Sequence, residues 1–171
     1  YTVYKSEFTN NDGKYTPASW DDGQLLSFIG GYKFNHNIEL GVKFRYQGGA
    51  PYSPFDIEAS QRNYSVLGTG VLDYSRFNTL RLAPFNSADI RVDKKWNRRK
   101  FSFDLYFDIT NAYASKQPAS STFTFKRTDD NKSFLTTDGK PLKADGGNGI
   151  PLILDNSSAV VIPTLGFIVD F

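Results

Sequence analysis

The chain has 171 residues, one His, no Cys, no Met, 22% charged residues and a formal net charge of +2. The missing Cys exclude a disulfide framework and thiolate metal ligation, and the near-balanced charge gives no pull towards nucleic acid. An aromatic content of 16% excludes a fully disordered chain, and the longest apolar runs, such as residues 159–162, fall far short of the roughly 20 residues of a membrane-spanning helix.

In chain order, residues 1–9 (YTVYKSEFT) read as a strand. The chain thus opens mid-strand, without Met or a signal peptide, and reads as the end of something longer. Residues 26–34 place Leu26, Phe28, Gly30, Tyr32 and Phe34 on one face, and Asn35-His36-Asn37 then forms a tight turn. The next ten residues, IELGVKFRYQ, alternate without exception. Ile38, Leu40, Val42, Phe44 and Tyr46 share one face; Glu39, Gly41, Lys43, Arg45 and Gln47 share the other. Successive side chains of a strand point to opposite faces, so this is a strand with one greasy and one charged surface.

From about residue 48 to 86 the chain is rich in Gly, Pro, Tyr and Ser and shows no firm periodicity. Alternation returns at 88–96, where Ala88, Ile90, Val92 and Trp96 oppose Asp89, Arg91, Asp93 and Lys95, with Lys94 the one charge on the greasy face. Residues 97–99 predict a second tight turn. Residues 100–110 set Phe101, Phe103, Leu105, Phe107 and Ile109 against Ser102, Asp104, Tyr106, Asp108 and Thr110. A second long connection covers about 112–158, in which residues 122–126 (TFTFK) extend a strand. Leu165, Phe167, Val169 and Phe171 finish the chain. The expectation is all-β: about six antiparallel strands with short turns at one end and long loops at the other.

Alternation alone fits two architectures. In a soluble sandwich the greasy face points inward; in a wide transmembrane barrel it points outward to lipid. Three features favour the barrel. The opposite face carries both signs (Glu39, Lys43, Arg45, Asp89, Arg91, Asp93, Lys95, Asp104 and Asp108), which neighbouring strands can pair across a wet lumen. Tyr32, Phe34, Trp96, Phe101 and Phe171 gather at the short-turn end, where an interfacial aromatic girdle belongs. The loops are unequal in the same sense. On this reading Ile38, Leu40, Val42, Phe44, Phe101, Phe103, Leu105 and Phe107 face lipid.

The last eight residues, Thr164-Leu165-Gly166-Phe167-Ile168-Val169-Asp170-Phe171, resemble the signal by which the outer-membrane assembly machinery recognises a substrate's final strand, carried by Thr164, Gly166, Phe167, Val169 and Phe171. An unpaired strand adds to an exposed sheet edge through its backbone while alternate side chains fill pockets, and Gly166 permits close approach of another backbone.

Taken in order, Gly13-x-Tyr15-x-Pro17-Ala18, LLSFIGGYKF at 25–34, IELGVKFRY at 38–46, GGAPYSPF at 48–55 and DIRVDKKWNRRKFSFDLYFDITNAY at 89–113 resemble the C-terminal barrel of TonB-dependent outer-membrane receptors, in the Bacteroidetes branch. Where that family has Arg-Leu-Pro-x-Tyr-x-Arg-Leu-Asp, residues 81–89 read RLAPFNSAD. The resemblance covers nearly the whole chain and implies the last six strands of a barrel of about 22, without its plug or TonB-contacting segment. It implies an outer-membrane location in a Gram-negative bacterium and energy-coupled uptake of a scarce solute such as a siderophore, vitamin, glycan or peptide. The partners it implies are the remaining strands and plug, the TonB complex, the assembly machinery, the bilayer and a surface lipoprotein.

No catalytic set emerges. His36 lies in a turn, and Asp104 and Asp108 on one strand are roughly 13 Å apart, wider than a glycosidase pair. Asp93 and Asp104 are candidates for closer approach across strands. Residues 129–140 miss the Gly and Glu of a calcium loop at Phe134 and Lys140. The expectation is a transporter segment, not an enzyme, with no cofactor and no metal. Two other readings stay open: a barrel substrate captured on the assembly machinery, and a soluble β-sandwich binding module.

Overall fold

A computed structural model describes residues 1–9 and 13–171. It is mostly β. Six strands form one antiparallel sheet in the order in which the chain makes them: β1 (Thr2–Val3), β2 (Gln24–Phe34), β3 (Ile38–Gln47), β4 (Phe85–Asn97), β5 (Ser102–Thr110) and β6 (Ile162–Asp170). The sheet is open; β1 and β6 are its edges and do not pair. The two turns at one end are short. At residues 35–37, His36 and Asn37 adopt positive φ (65° and 58°), and the Lys94 ammonium donates to the His36 carbonyl. At the second turn the Arg98 N–H donates to the Phe101 carbonyl, 2.8 Å.

Register decides what the faces look like. Val42 lies opposite both Gly30 and Ile90, Leu40 opposite Tyr32 and Val92, and Phe44 opposite Phe28 and Ala88. Val92 continues to Phe107, which continues to Leu165. A slip of one residue anywhere would reverse a whole strand, so the apolar positions of five strands coincide only in this register.

The sheet contains almost no conventional core. Among the described residues the buried apolar side chains are Ala18, Phe123 and Phe125, and the latter two sit in the long connections. Both connections fold at the end of the sheet away from the short turns. The first contains a helix, α1 (Ile57–Leu67), where the sequence shows no periodicity. Its start is set by Asp56, whose side chain accepts the Ala59 N–H at 2.9 Å, and its end by Gly68 at φ 65°. An apolar stripe is missing because Ile57, Val66 and Leu67 are exposed, whereas Ser60 is fully buried and bonds the Val71 backbone in both directions.

Residues 122–126 do not extend a strand of the main sheet. Thr122–Phe125 pairs with Pro151–Leu154 in a separate hairpin, because Phe123 and Phe125 are drawn into a cluster with Tyr64 of α1, Phe55 and Phe134, at ring-centroid separations of 5.0 to 6.0 Å. The two long connections therefore form one packed cap. Nor is the N-terminal segment one strand. It breaks between Thr2–Val3 and Glu7–Thr9, where the Tyr4 hydroxyl donates to Asp22 and the Ser6 N–H to Asp21. Glu7–Thr9 then pairs with Tyr15–Pro17.

Candidate functional site

The sheet presents two uncovered faces of opposite chemistry. On the first lie Ile38, Leu40, Val42 and Phe44 of β3, Ile90 and Val92 of β4, Phe103, Leu105 and Phe107 of β5, and Leu165, Phe167 and Val169 of β6. Phe28 is 59% exposed and Phe167 67%, a level at which aromatic rings in a soluble core are not found. Phe101 falls just before β5, in the turn, and shares a cavity with Trp96 and Phe103. No second sheet covers this face among the described residues.

The second face carries the charges. The Arg45 guanidinium meets Asp89 across the strands at 3.3 Å, and Asp89 also accepts the Ser87 hydroxyl and the Asn111 N–H. Arg91 holds Asp93 of its own strand at 2.6 Å and lies 4.1 Å over the Tyr106 ring. Lys95 reaches Asp170, two strands away, at 3.7 Å. Glu39, Lys43, Asp104 and Asp108 make no ion pair among the described residues, and Asp104 keeps one buried carboxylate oxygen without a partner. Asp93 and Asp104 are not brought together; Asp93 lies opposite Tyr106, and Asp104 opposite Lys95. A cavity of about 270 Å³ opens over Gly41 between Lys43, Asp89, Arg91 and Asp108. The face is mainly polar with partly compensated charge, interrupted by Leu25, Ile29 and Ile168, which the register places on the same side.

The terminal signal residues divide between the two faces. Thr164 and Gly166 lie on the charged face, opposite Asp108 and Tyr106. Phe167 and Val169 lie on the apolar face, opposite Leu105 and Phe103, and Phe171 extends past the strand, fully exposed. Gly166 serves a different contact from the one its position suggests. It makes room for the Tyr106 ring rather than for a backbone: a Cβ there would lie 2.3 Å from Tyr106 Cζ and Oη. Arg91, stacked on the same ring, holds the ring in that place. We expect Gly166→Ala to destabilise by about 1–2 kcal/mol. In a Tyr106→Ala background most of that loss should vanish, a coupling readable in a double-mutant refolding cycle. Equal losses in both backgrounds would show that ring and glycine act independently.

Sequence reasoning assigned no role to Arg81 or Asn111, yet each ties distant segments together. Arg81 donates to the Asp21 carboxylate (2.6 Å) and backbone carbonyl (2.5 Å) and to the Gly49 carbonyl (2.9 Å). Asn111, at φ 55° and buried, donates to the Ser115 and Val160 carbonyls and accepts the Ser115 N–H. The available signals were an Arg at the end of an irregular stretch and an Asn directly after a strand. Both are weak in isolation.

Asp21 is buried, and the Ser6 N–H, followed by Arg81, holds its carboxyl below the usual carboxylate range. A carboxyl depressed in the fold stabilises it fully above the unfolded-state value, and that contribution is lost as pH falls through the folded-state value. Hydrogen-exchange protection of the Ser6 amide should therefore hold at neutral pH and collapse in acid below the ordinary carboxylate range. Asp21→Asn should flatten the profile; acid-resistant protection in the unmodified chain would exclude the role.

No group of three or more His, Asp or Glu gathers as a metal site among the described residues. Comparison with known proteins matches no family model, no curated protein and no solved structure.

Proposed function

We propose that the chain is the C-terminal wall of an outer-membrane β-barrel of the TonB-dependent receptor type, taking part in energy-coupled uptake of a scarce solute. The observation that carries this reading is the apolar face: one register aligns five strands of 9 to 13 residues into a continuous greasy surface, half-buried to exposed along its length, backed by a charged one. A barrel strand crosses a bilayer with about 9–11 residues, and contact with lipid accounts for a sheet that shows Phe, Leu and Val on one face while its reverse side stays wet. The loop asymmetry supports the same orientation, with short turns on the periplasmic side and the packed cap outside. The ordered sequence resemblance supplies the receptor class. In this reading the charged face lines the lumen, the missing strands complete the wall, and β6 is the segment offered to the assembly machinery.

The test uses the absence of Cys. Single Cys at 42, 43, 104 and 105 are probed in membranes with an aqueous thiol reagent. Protection at 42 and 105 with labelling at 43 and 104 is expected. Labelling at all four positions, or the same protection pattern in soluble protein without lipid or detergent, overturns the reading.

A further inference from the structure

We propose that the short-turn end of the apolar face holds a site for an anionic phospholipid, the headgroup phosphate on a cationic rim and an acyl chain on the aromatic floor below it. The inference rests on the reading of that face as lipid-facing and goes beyond it, because lipid contact alone does not require a choice of headgroup.

Residues 94–100, KKWNRRK, hold five cations in seven positions, and no carboxylate occurs from there through residue 103. Lys95 is engaged on the opposite face with Asp170. Lys94 is the one charge placed on the apolar face; its ammonium donates to the His36 carbonyl and lies 5.6 Å over the Trp96 ring. Arg98, Arg99 and Lys100 are exposed in the turn and make no ion pair among the described residues. A cluster of exposed cations raises the local positive potential and draws anions towards it.

The floor beside this rim is built. Trp96, Arg98, Phe101 and Phe103 line a cavity of about 300 Å³. Trp96 and Phe103 have ring centroids 5.6 Å apart, and Phe103 stacks on Phe167 at 5.9 Å, so an aromatic row runs from the cavity across three strands. A guanidinium matches a phosphate diester through paired N–H donors, and an ammonium beside it adds a point charge. A neutral-headgroup lipid would use the floor and leave the rim uncompensated, whereas free phosphate would use the rim alone. An anionic phospholipid satisfies both.

The 171-residue chain contains two Trp, so Trp20→Phe leaves Trp96 as the sole tryptophan, excited selectively over the tyrosines. That variant is reconstituted into phosphatidylcholine vesicles doped with either brominated phosphatidylglycerol or brominated phosphatidylcholine. Basic residues near a charged surface each contribute enough to expect half-maximal quenching by the glycerol lipid at about tenfold lower mole fraction. Arg98→Gln should remove most of that preference. Lys95→Gln, the same charge change on the other face, should keep it. Equal quenching by the two brominated lipids overturns the site, as does a preference that Lys95→Gln erases as fully as Arg98→Gln. Absence of quenching by either lipid would instead overturn the lipid-facing reading, and the site with it.

Discussion

Gly49→Ala, and equally Gly48→Ala, should cost the chain about 3 kcal/mol or more, the upper end of what overpacking does. The reason is a crossing of three segments at the loop end of the sheet. The Gly48 Cα faces Asp22 and the Gly49 Cα faces Leu82; an alanine Cβ would come within 1.9 Å of the Asp22 carbonyl oxygen in the first case and of the Leu82 carbonyl oxygen in the second. These are backbone atoms and cannot rotate away. They are also held: the Gly48 N–H donates to the Gln24 carbonyl, the Leu82 N–H to the Ala50 carbonyl, and Arg81 clamps Asp21 and Gly49. To admit the methyl group the crossing must open, which releases the buried Asp21 carboxylate from its partners. Gly41→Ala is the control. Its Cβ would meet nothing closer than 3.9 Å, and its stability should stay within about 0.5 kcal/mol. Urea titrations of the three variants give the comparison. Equal midpoints for Gly49→Ala and Gly41→Ala would mean that the crossing is not a structural joint.

Leu105→Arg or Val42→Arg should destabilise the membrane-inserted chain by about 2–4 kcal/mol where the site lies near the bilayer midplane. Leu105 lies between Lys94 and Phe167, and Val42 between Gly30 and Ile90, so an arginine at either would project from the apolar face. Asp104→Asn, on the opposite face and already short of one hydrogen-bond partner, should cost much less, because Lys95 opposite is paired with Asp170. Refolding titrations in lipid decide the order. Should Asp104→Asn prove the more damaging, the faces are inverted relative to the bilayer.

The alternation rule worked best where a strand has two unlike faces. Ile38, Leu40, Val42 and Phe44 against Glu39, Lys43 and Arg45 left one arrangement, and the paired strands repeat it in register. It worked less well where local bonds compete with the ladder, as at Tyr4 and Ser6, whose bonds to Asp22 and Asp21 break the N-terminal strand. It had nothing to read in α1, a helix fastened by a cap and by Ser60, Tyr64 and Ser65 hydrogen bonds rather than by an apolar stripe.

What the sequence determined by itself is the set of long strands, their two faces and the unequal loops, because period-two patterning and turn residues act over a few neighbours. What the tertiary structure alone decided is the packed cap around Phe123 and Phe125, the Arg81 and Asn111 ties, the Gly48–Gly49 crossing and the seat of Tyr106 on Gly166. Each of these joins residues far apart in the chain, and the contact that gives each residue its role exists only after the strands have taken their register.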